Sequence, residues 1–224
     1  MSNCFQSGKT YQTFIYERLS DLFETLIPHH CIIKEVEGAK SGPDIRLNNI
    51  GIECKNKGAF DGGSKKMFHD GKRLIFTDFD SIHSKILDNL IIYQGLNLPW
   101  YEGKKSDNDW NKVKLIFEPD VYIEANDNSI SEYYKNVGTF YIQIEEMGLF
   151  HTGDDVLKIG VPYFQCPIKL RIRTSKHKKK GIPTDVTGAL IYNKLTLKKS
   201  PYSLDLNGIL PKSITLNENT IILF

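Results

Sequence analysis

Residues 43–55 read Pro-Asp-Ile-Arg-Leu-Asn-Asn-Ile-Gly-Ile-Glu-Cys-Lys. Apolar Ile45, Leu47, Ile50, Ile52 and Cys54 alternate with Asp44, Arg46, Gly51, Glu53 and Lys55, the period-two signature of half-buried strands. Asn48-Asn49 interrupts the alternation, and asparagine tolerates the positive φ that a two-residue turn requires. The spacing therefore predicts a β-hairpin in which Leu47 faces Ile50, Arg46 faces Gly51, Ile45 faces Ile52 and Asp44 faces Glu53. Like charges set directly opposite destabilise a sheet. A divalent cation between Asp44 and Glu53 would relieve that repulsion, and Lys55 follows on the same face.

A chain of 224 residues with 40% hydrophobic and 25% charged residues has ordinary globular composition and can bury a sizeable core. No apolar run approaches the ~20 residues of a membrane span, and the polar start Ser2-Asn3-Cys4-Phe5-Gln6-Ser7 does not read as a signal peptide. Cys4, Cys31, Cys54 and Cys166 lack the short paired spacing of a zinc site. Reduced thiols in a cytoplasmic protein are the expectation.

Along the chain, Tyr11, Phe14, Ile15, Leu19, Leu22, Phe23 and Leu26 recur at helical steps, which predicts an amphipathic helix over 9–27 ended by Pro28. Glu17 and Glu24 lie on its opposite, solvated side. Cys31–Val36 reads as a strand leading into the hairpin. Residues 56–66, with Lys57, Gly58, Gly62, Gly63, Lys65 and Lys66, read as a basic glycine-rich loop suited to close approach of a phosphate chain, or simply as a surface loop. They do not match a nucleotide-cradling motif. Asp78 or Asp80 is expected to cap a helix through Ile82–Ile92. Pro99–Lys112 is a charged loop whose Trp100, Tyr101 and Trp110 either anchor it to the core or face nucleic acid. Strands are expected at Val113–Phe117, Val121–Glu124, Thr139–Ile144, Lys169–Arg173, Ile214–Leu216 and Thr220–Phe224, with a hairpin at Leu204–Leu210 and a helix at Ser131–Val137.

Pro43-Asp44 followed by Glu53-Cys54-Lys55 resembles the motif of the PD-(D/E)XK nucleases. A second Pro-Asp, Glu118-Pro119-Asp120 with Glu124 beyond it, has Ala125-Asn126 where a lysine would be needed and reads as a structural strand. In outline the chain is similar to small type II restriction endonucleases, the HhaI-like group in particular. The resemblance implies an α/β (α+β) fold: a restriction-endonuclease-like core, with a mixed central sheet flanked by helices, followed by a β-rich C-terminal half. The expected division is a catalytic core over 1–112 and a DNA-recognition and sheet-completing region over 113–224, packed as one unit.

It also implies Mg²⁺-dependent, sequence-specific hydrolysis of double-stranded DNA leaving 5′-phosphates, with Mn²⁺ able to substitute. Asp44 and Glu53 would be metal ligands, joined by the backbone carbonyl of Cys54, and Lys55 would orient or deprotonate the attacking water. Some family members add a carboxylate from the first helix; Glu17 and Glu24 are the residues available. Concerted cutting of both strands requires two active sites, from a homodimer or from successive nicks. A restriction enzyme implies a methyltransferase as its cellular counterpart.

The formal net charge of +2 is unevenly spread. Lys169, Arg171, Arg173, Lys176, Lys178, Lys179 and Lys180 lie together without an acid, which leaves 22 of the 29 basic residues against 27 acids elsewhere. Such a patch is a candidate nucleic-acid surface. Alternation places Lys169, Arg171 and Arg173 on one strand face suited to a groove or phosphates, with Arg171 and Arg173 the candidates for base reading. Lys176, Lys178, Lys179 and Lys180, with Lys57, Lys65 and Lys66, are candidate phosphate contacts. The plainer reading is an edge strand protected by charge. The six histidines form no ligand pair at helical spacing and read as structural or exposed, although His69 and His83 follow the hairpin. A repair nuclease or resolvase of the same fold, a non-catalytic DNA-binding protein and a protein-interaction module are the competing readings.

Overall fold

The computed structural model describes residues 2–26, 33–35, 42–56, 61–69, 74–78, 81, 83–85, 87–88, 121–125, 128–166, 168–176, 183–192, 196–205, 208–211, 213–216 and 219–222. The elements in chain order are α1 (Ser2–Leu26), β1 (Ile33–Glu35), β2 (Ile45–Leu47), β3 (Ile50–Lys55), β4 (Asp61–His69), β5 (Leu74–Phe76) and β6 (Val121–Ala125). After them come α2 (Asn128–Asn136), β7 (Thr139–Ile144), β8 (Gly148–His151), β9 (Ile168–Lys176), β10 (Pro183–Tyr192), β11 (Ser213–Leu216) and β12 (Asn219–Ile222). The architecture is mixed α+β, with a five-stranded mixed sheet, a five-stranded antiparallel sheet, the antiparallel pair β11–β12 and few helices among the described residues.

The chain divides into two compact units, each assembled from separated segments: residues 1–60, 134–166 and 194–224 in the first, 61–133 and 167–193 in the second. The expected boundary at 112/113 lies outside the described residues, as do the strand at Val113–Phe117 and the aromatic loop with Trp100, Tyr101 and Trp110.

The first unit is built on a sheet of order β1-β2-β3-β7-β8. Its parallel pairing of β3 with β7 needs a crossover, and the 61–133 segment of the second unit lies within that connection. Helix α1 packs on β1 and β3. It begins seven residues earlier than its periodicity indicates, since the polar first turns carry little apolar signal. Its buried Tyr11, Ile15 and Leu19 join Ile45, Leu47, Ile52, Cys54, Tyr141, Leu149 and Leu157 in one core cluster. Burying an aliphatic side chain of this kind contributes about 1.5–3 kcal/mol, so the odd-even pattern of the hairpin fixes which of its faces turns inward. The β7–β8 turn is closed by Glu146 and Gly148 in the left-handed region, at φ 68° and 100°.

The second unit holds an antiparallel sheet of order β5-β4-β10-β9-β6. Here the residues expected as a glycine-rich loop are partly a strand: Asp61–His69 forms β4, paired with β10 on one side and β5 on the other. Glycine weakens a strand locally, but two partners outweigh that intrinsic preference. Gly188 on β10 is required by packing, because a Cβ there would lie 2.6 Å from the Phe76 ring and 3.1 Å from Met67 Sδ.

Two local expectations are refined. In the helical turn after β5, Ser81 Oγ accepts from the Ser84 amide at 3.2 Å, while Ser81 Oγ and Ser84 Oγ both donate to the Asp78 carbonyl, so the Ser81 side chain and not that of Asp78 makes this capping contact; Asp80 lies outside the described residues. Residues 204–210 make a turn closed by Gly208 N to Asp205 O and Ser203 N to Ile209 O, without flanking strands among the described residues. The Leu204 amide is held by Gln143 and the Asp205 carboxylate by Tyr11, so the turn is also tied to the core of the first unit.

Candidate active site on the first sheet

The hairpin forms in the expected register, with Leu47 opposite Ile50, Arg46 opposite Gly51 and Ile45 opposite Ile52. Asn48 takes the left-handed conformation at φ 54°. Asp44 sits one residue before β2, following buried Pro43. Its Oδ2 accepts a hydrogen bond from the Cys54 amide at 2.7 Å, which ties the loop residue to the strand carrying Glu53 and Lys55. Lys55 Nζ contacts Glu53 Oε1 at 2.5 Å, both side chains being 14% exposed.

Gly51 makes this approach feasible. A Cβ at position 51 would stand 2.7 Å from Pro43 Cβ and Cγ and closer still to the Gly138 carbonyl. Absence of a side chain therefore lets the Pro43-Asp44 segment lie against β3 while β7 enters from the other side.

Helix α1 contributes two polar contacts. Gln12 Nε2 donates to the Asp44 carbonyl at 3.2 Å, and Thr13 Oγ1 donates to Glu35 Oε1 at 2.9 Å. Glu35 is a residue that sequence reasoning missed. It reaches the neighbourhood of Asp44 because β1 pairs with β2, placing Glu35 opposite Ile45. Glu17, the helix carboxylate considered as an extra ligand, is exposed.

Burial, first, and the Glu53 charge, second, raise the Asp44 carboxyl to about 7, with a smaller contribution from Glu35. The Cys54 amide and the Lys55 charge pull in the opposite direction without cancelling these effects. The Asp44 carboxyl thus changes charge near neutral pH. Asp44 and Glu53 offer hard oxygen donors, which suits Mg²⁺ bound through one or two carboxylates with the rest of its shell from water and phosphate. Among the described residues no three His, Cys, Asp or Glu side chains converge as a complete ligand set. The Cys54 thiol is buried and pushed well above its ordinary range by desolvation, which makes it an inert part of the core; Cys166 is also a buried free thiol.

Behind the strand lies a polar network that no local pattern announces. Gln143 on β7 stands opposite Cys54 and is fully buried. Its Nε2 donates to Tyr11 Oη at 3.2 Å and Ser203 Oγ at 3.0 Å, and its Oε1 accepts from the Leu204 amide at 2.9 Å. Tyr11 in turn donates to Asp205 Oδ1. Burial and that carboxylate push the Tyr11 phenol well above its ordinary range, so it remains a donor.

The basic candidates belong to the second unit. Lys169 and Arg171 are half-buried on β9, whose other face carries fully buried Leu170 and Ile172. Arg173 and Lys176 occupy later positions of the same strand, in register with Thr187 and Pro183 of β10. Lys66 is exposed on β4, and Lys65 lies 3.6 Å from Asp78. Lys57, Lys178, Lys179 and Lys180 fall outside the described residues. Because β9 is flanked by β10 and β6, it is neither an edge strand nor a free ribbon.

His83 is buried between the rings of Phe76 and Tyr133, with centroids at 5.7 and 5.3 Å, a packing role. Among the described residues no helix is long and apolar enough to cross a membrane. Compared with protein-family models, curated proteins and solved structures, the chain matches none.

Proposed function

We propose that this protein is a Mg²⁺-dependent deoxyribonuclease of the PD-(D/E)XK type that hydrolyses phosphodiester bonds. The observation that carries the reading is the junction of Asp44, Glu53 and Lys55: Asp44 is fastened to the Cys54 amide, and Glu53 and Lys55 lie in contact on the same strand. A mixed sheet with α1 against its catalytic strand is compatible with the restriction-endonuclease-like core implied by the motif.

In this reading Asp44 and Glu53 hold the ion, with the Cys54 carbonyl as a further donor. When bound, a divalent cation supplies charge stabilisation at the phosphate and acidifies a coordinated water. Lys55 orients the attacking water and offsets phosphate charge from its place beside Glu53. Gln12 and the Cys54 amide hold Asp44 in place, and the Gln143 network stiffens the strand from behind. Cleavage leaving 5′-phosphates and site-specific restriction follow from the family resemblance and belong to this proposal.

The test is incubation of the purified protein with long unmodified phage DNA and Mg²⁺, beside Lys55→Ala. Discrete fragments lost in the variant would establish a site-specific endonuclease, and a lost smear a non-specific one. Equal cleavage by both proteins would refute the assignment of Lys55. Intact DNA with both would refute nuclease activity on this substrate and leave branched or flapped DNA as the next one.

A further inference from the structure

The face of the first sheet turned away from α1 carries more charge than the three residues of the candidate site. The register places Lys34 of β1 opposite Arg46 of β2, and Arg46 opposite Gly51 of β3. Directly opposed residues share a face, so Lys34 and Arg46 lie on the side of Glu53 and Lys55, while Ile45, Leu47 and Ile52 turn into the core with α1. Glu35, the next residue on β1, accepts from Thr13 of α1 and so belongs to the helix side. Lys34 is exposed and Arg46 half-buried.

Gly138 leaves room for the Arg46 guanidinium. Nη1 and Nη2 stand 3.8 and 3.9 Å from the point where a Cβ would project from Gly138, whose carbonyl in turn lies against Gly51. Successive residues on one strand face are about 6.8 Å apart. The Lys34–Arg46 row therefore stands one step from Glu53, and Lys55 follows one step beyond it on the other side. A cation near Gly138 would also suit the C-terminus of α2. The Tyr134 and Lys135 carbonyls there already accept from the Val137 and Gly138 amides, and Arg46 has no hydrogen-bond or ion-pair partner among the described residues. Its planar fork of N–H donors matches two oxygens of a phosphate.

We infer that Arg46 and Lys34 bind the DNA backbone beside the candidate active site, Arg46 gripping the phosphate next to the one being cut and Lys34 adding an exposed charge along the same strand. The inference rests on the nuclease reading above and gives that site a substrate contact on the side of Glu53 away from Lys55. One row of the sheet is comparable to one nucleotide step along a phosphodiester backbone, so a strand lying along β3 meets Arg46 and the carboxylates at successive phosphates. Neither cation touches the reacting atoms; both position the strand. Arg46 enters the sequence reading only as the residue opposite Gly51, and Lys34 only within the strand leading into the hairpin.

Fluorescence anisotropy of the full chain with a labelled 20-bp duplex in EDTA, over a series of salt concentrations, reads the contact without cleavage. Arg46→Gln should reduce the slope of log affinity against log salt by about 0.9, the value for one phosphate contact on duplex DNA. Adding Lys34→Gln should bring the reduction to about 1.8, for two contacts. Arg46→Lys keeps the charge and should keep the wild-type slope, yet bind about 10-fold more weakly through loss of one charge-assisted hydrogen bond. Thermal denaturation shows which variants fold, and Arg46→Lys carries the test if Arg46→Gln does not. Wild-type slope and affinity in folded Arg46→Gln, wild-type affinity in Arg46→Lys, or no salt-dependent duplex binding by the wild-type protein overturns the inference. Mg²⁺-dependent cleavage is scored separately. Binding with these properties but no cutting would remove the nuclease reading and leave the phosphate contact standing. Cutting by a wild-type protein whose binding Arg46→Gln leaves unchanged would do the reverse.

Discussion

The hairpin of the first unit and the basic face of the second are both chemically distinctive surfaces, but they are specified in opposite ways. Asp44, Glu53 and Lys55 lie within twelve residues of one another, and their arrangement follows from one turn and one alternation. The basic face brings Lys66 and Arg171 together only through pairings between β4, β10 and β9. A local motif can specify side-chain geometry by itself, whereas a broad charged face requires the sheet to assemble first. The hairpin should accordingly be sensitive to single atoms, and the basic face to the sum of several side chains.

The largest expected effect is on chemistry. Removing the ammonium with Lys55→Ala should lower the rate of DNA cleavage by about 10²–10⁴-fold, the usual contribution of a positioned proton-transfer group, while DNA affinity in EDTA remains within about twofold of wild type. Single-turnover rates beside anisotropy measure both. A parallel loss of binding would mean that the two surfaces are not separable in function, and would break the contrast between them.

Next comes the fit of the hairpin itself. Gly51→Ala places a methyl group against Pro43 and the Gly138 carbonyl, and since the obstacle is backbone and a proline ring it cannot rotate away. Overpacking of this kind costs roughly 2–3 kcal/mol, which for a chain of this size lowers Tm by roughly 4–12 °C. Thermal denaturation of the variant reads it directly; a Tm within 1 °C of wild type would mean that Pro43-Asp44 is not pressed against β3.

Gln143→Leu should cost about 2 kcal/mol, since it strands the Leu204 amide and deprives Tyr11 and Ser203 of a partner. Urea denaturation would detect this as a lower midpoint at unchanged slope. Cleavage by the folded variant should fall further than its stability alone predicts if the network stiffens the catalytic strand through Cys54.

The same local-versus-distant distinction explains what could be read from the sequence. The register of the hairpin, the buried parity of Ile45, Ile52 and Cys54, the inward face of α1 and the full extent of β7 were all legible, because period and turn chemistry act over a few residues. Glu35 was not, since only the β1–β2 pairing brings it near Asp44. Neither β4 nor β10 was anticipated. Gly62-Gly63-Ser64-Lys65-Lys66 has the composition of a loop, and its partner strand lies more than 110 residues away. The Leu204–Leu210 segment was legible in its turn: Asp-Leu-Asn-Gly promises a reversal, and Gly208 N donates to the Asp205 carbonyl while Ser203 N donates to that of Ile209; its ties to Gln143 and Tyr11 came from far away in the chain.

The pH-dependent effect is the most diagnostic of the site's electrostatics. In the metal-free protein Asp44 holds its proton up to about pH 7, whereas an unfolded aspartate releases it near 3.9. Between those values the folded state binds more protons, so stability decreases as pH rises through the window. Asp44→Asn keeps an acceptor for the Cys54 amide, removes the charge facing Glu53 and cannot titrate. Its stability should therefore gain on that of wild type as pH rises from 5 to 8, by roughly 2–3 kcal/mol or ~4–12 °C in Tm. Mg²⁺ should narrow this difference at pH 8 by stabilising the wild-type carboxylate, and its apparent affinity should fall about tenfold for each pH unit below 7 as one proton competes with it. A constant Tm difference from pH 5 to 8 would show that Asp44 is ionised throughout, and that its contact with the Cys54 amide and the Lys55 charge outweighs the burial and the neighbouring carboxylates.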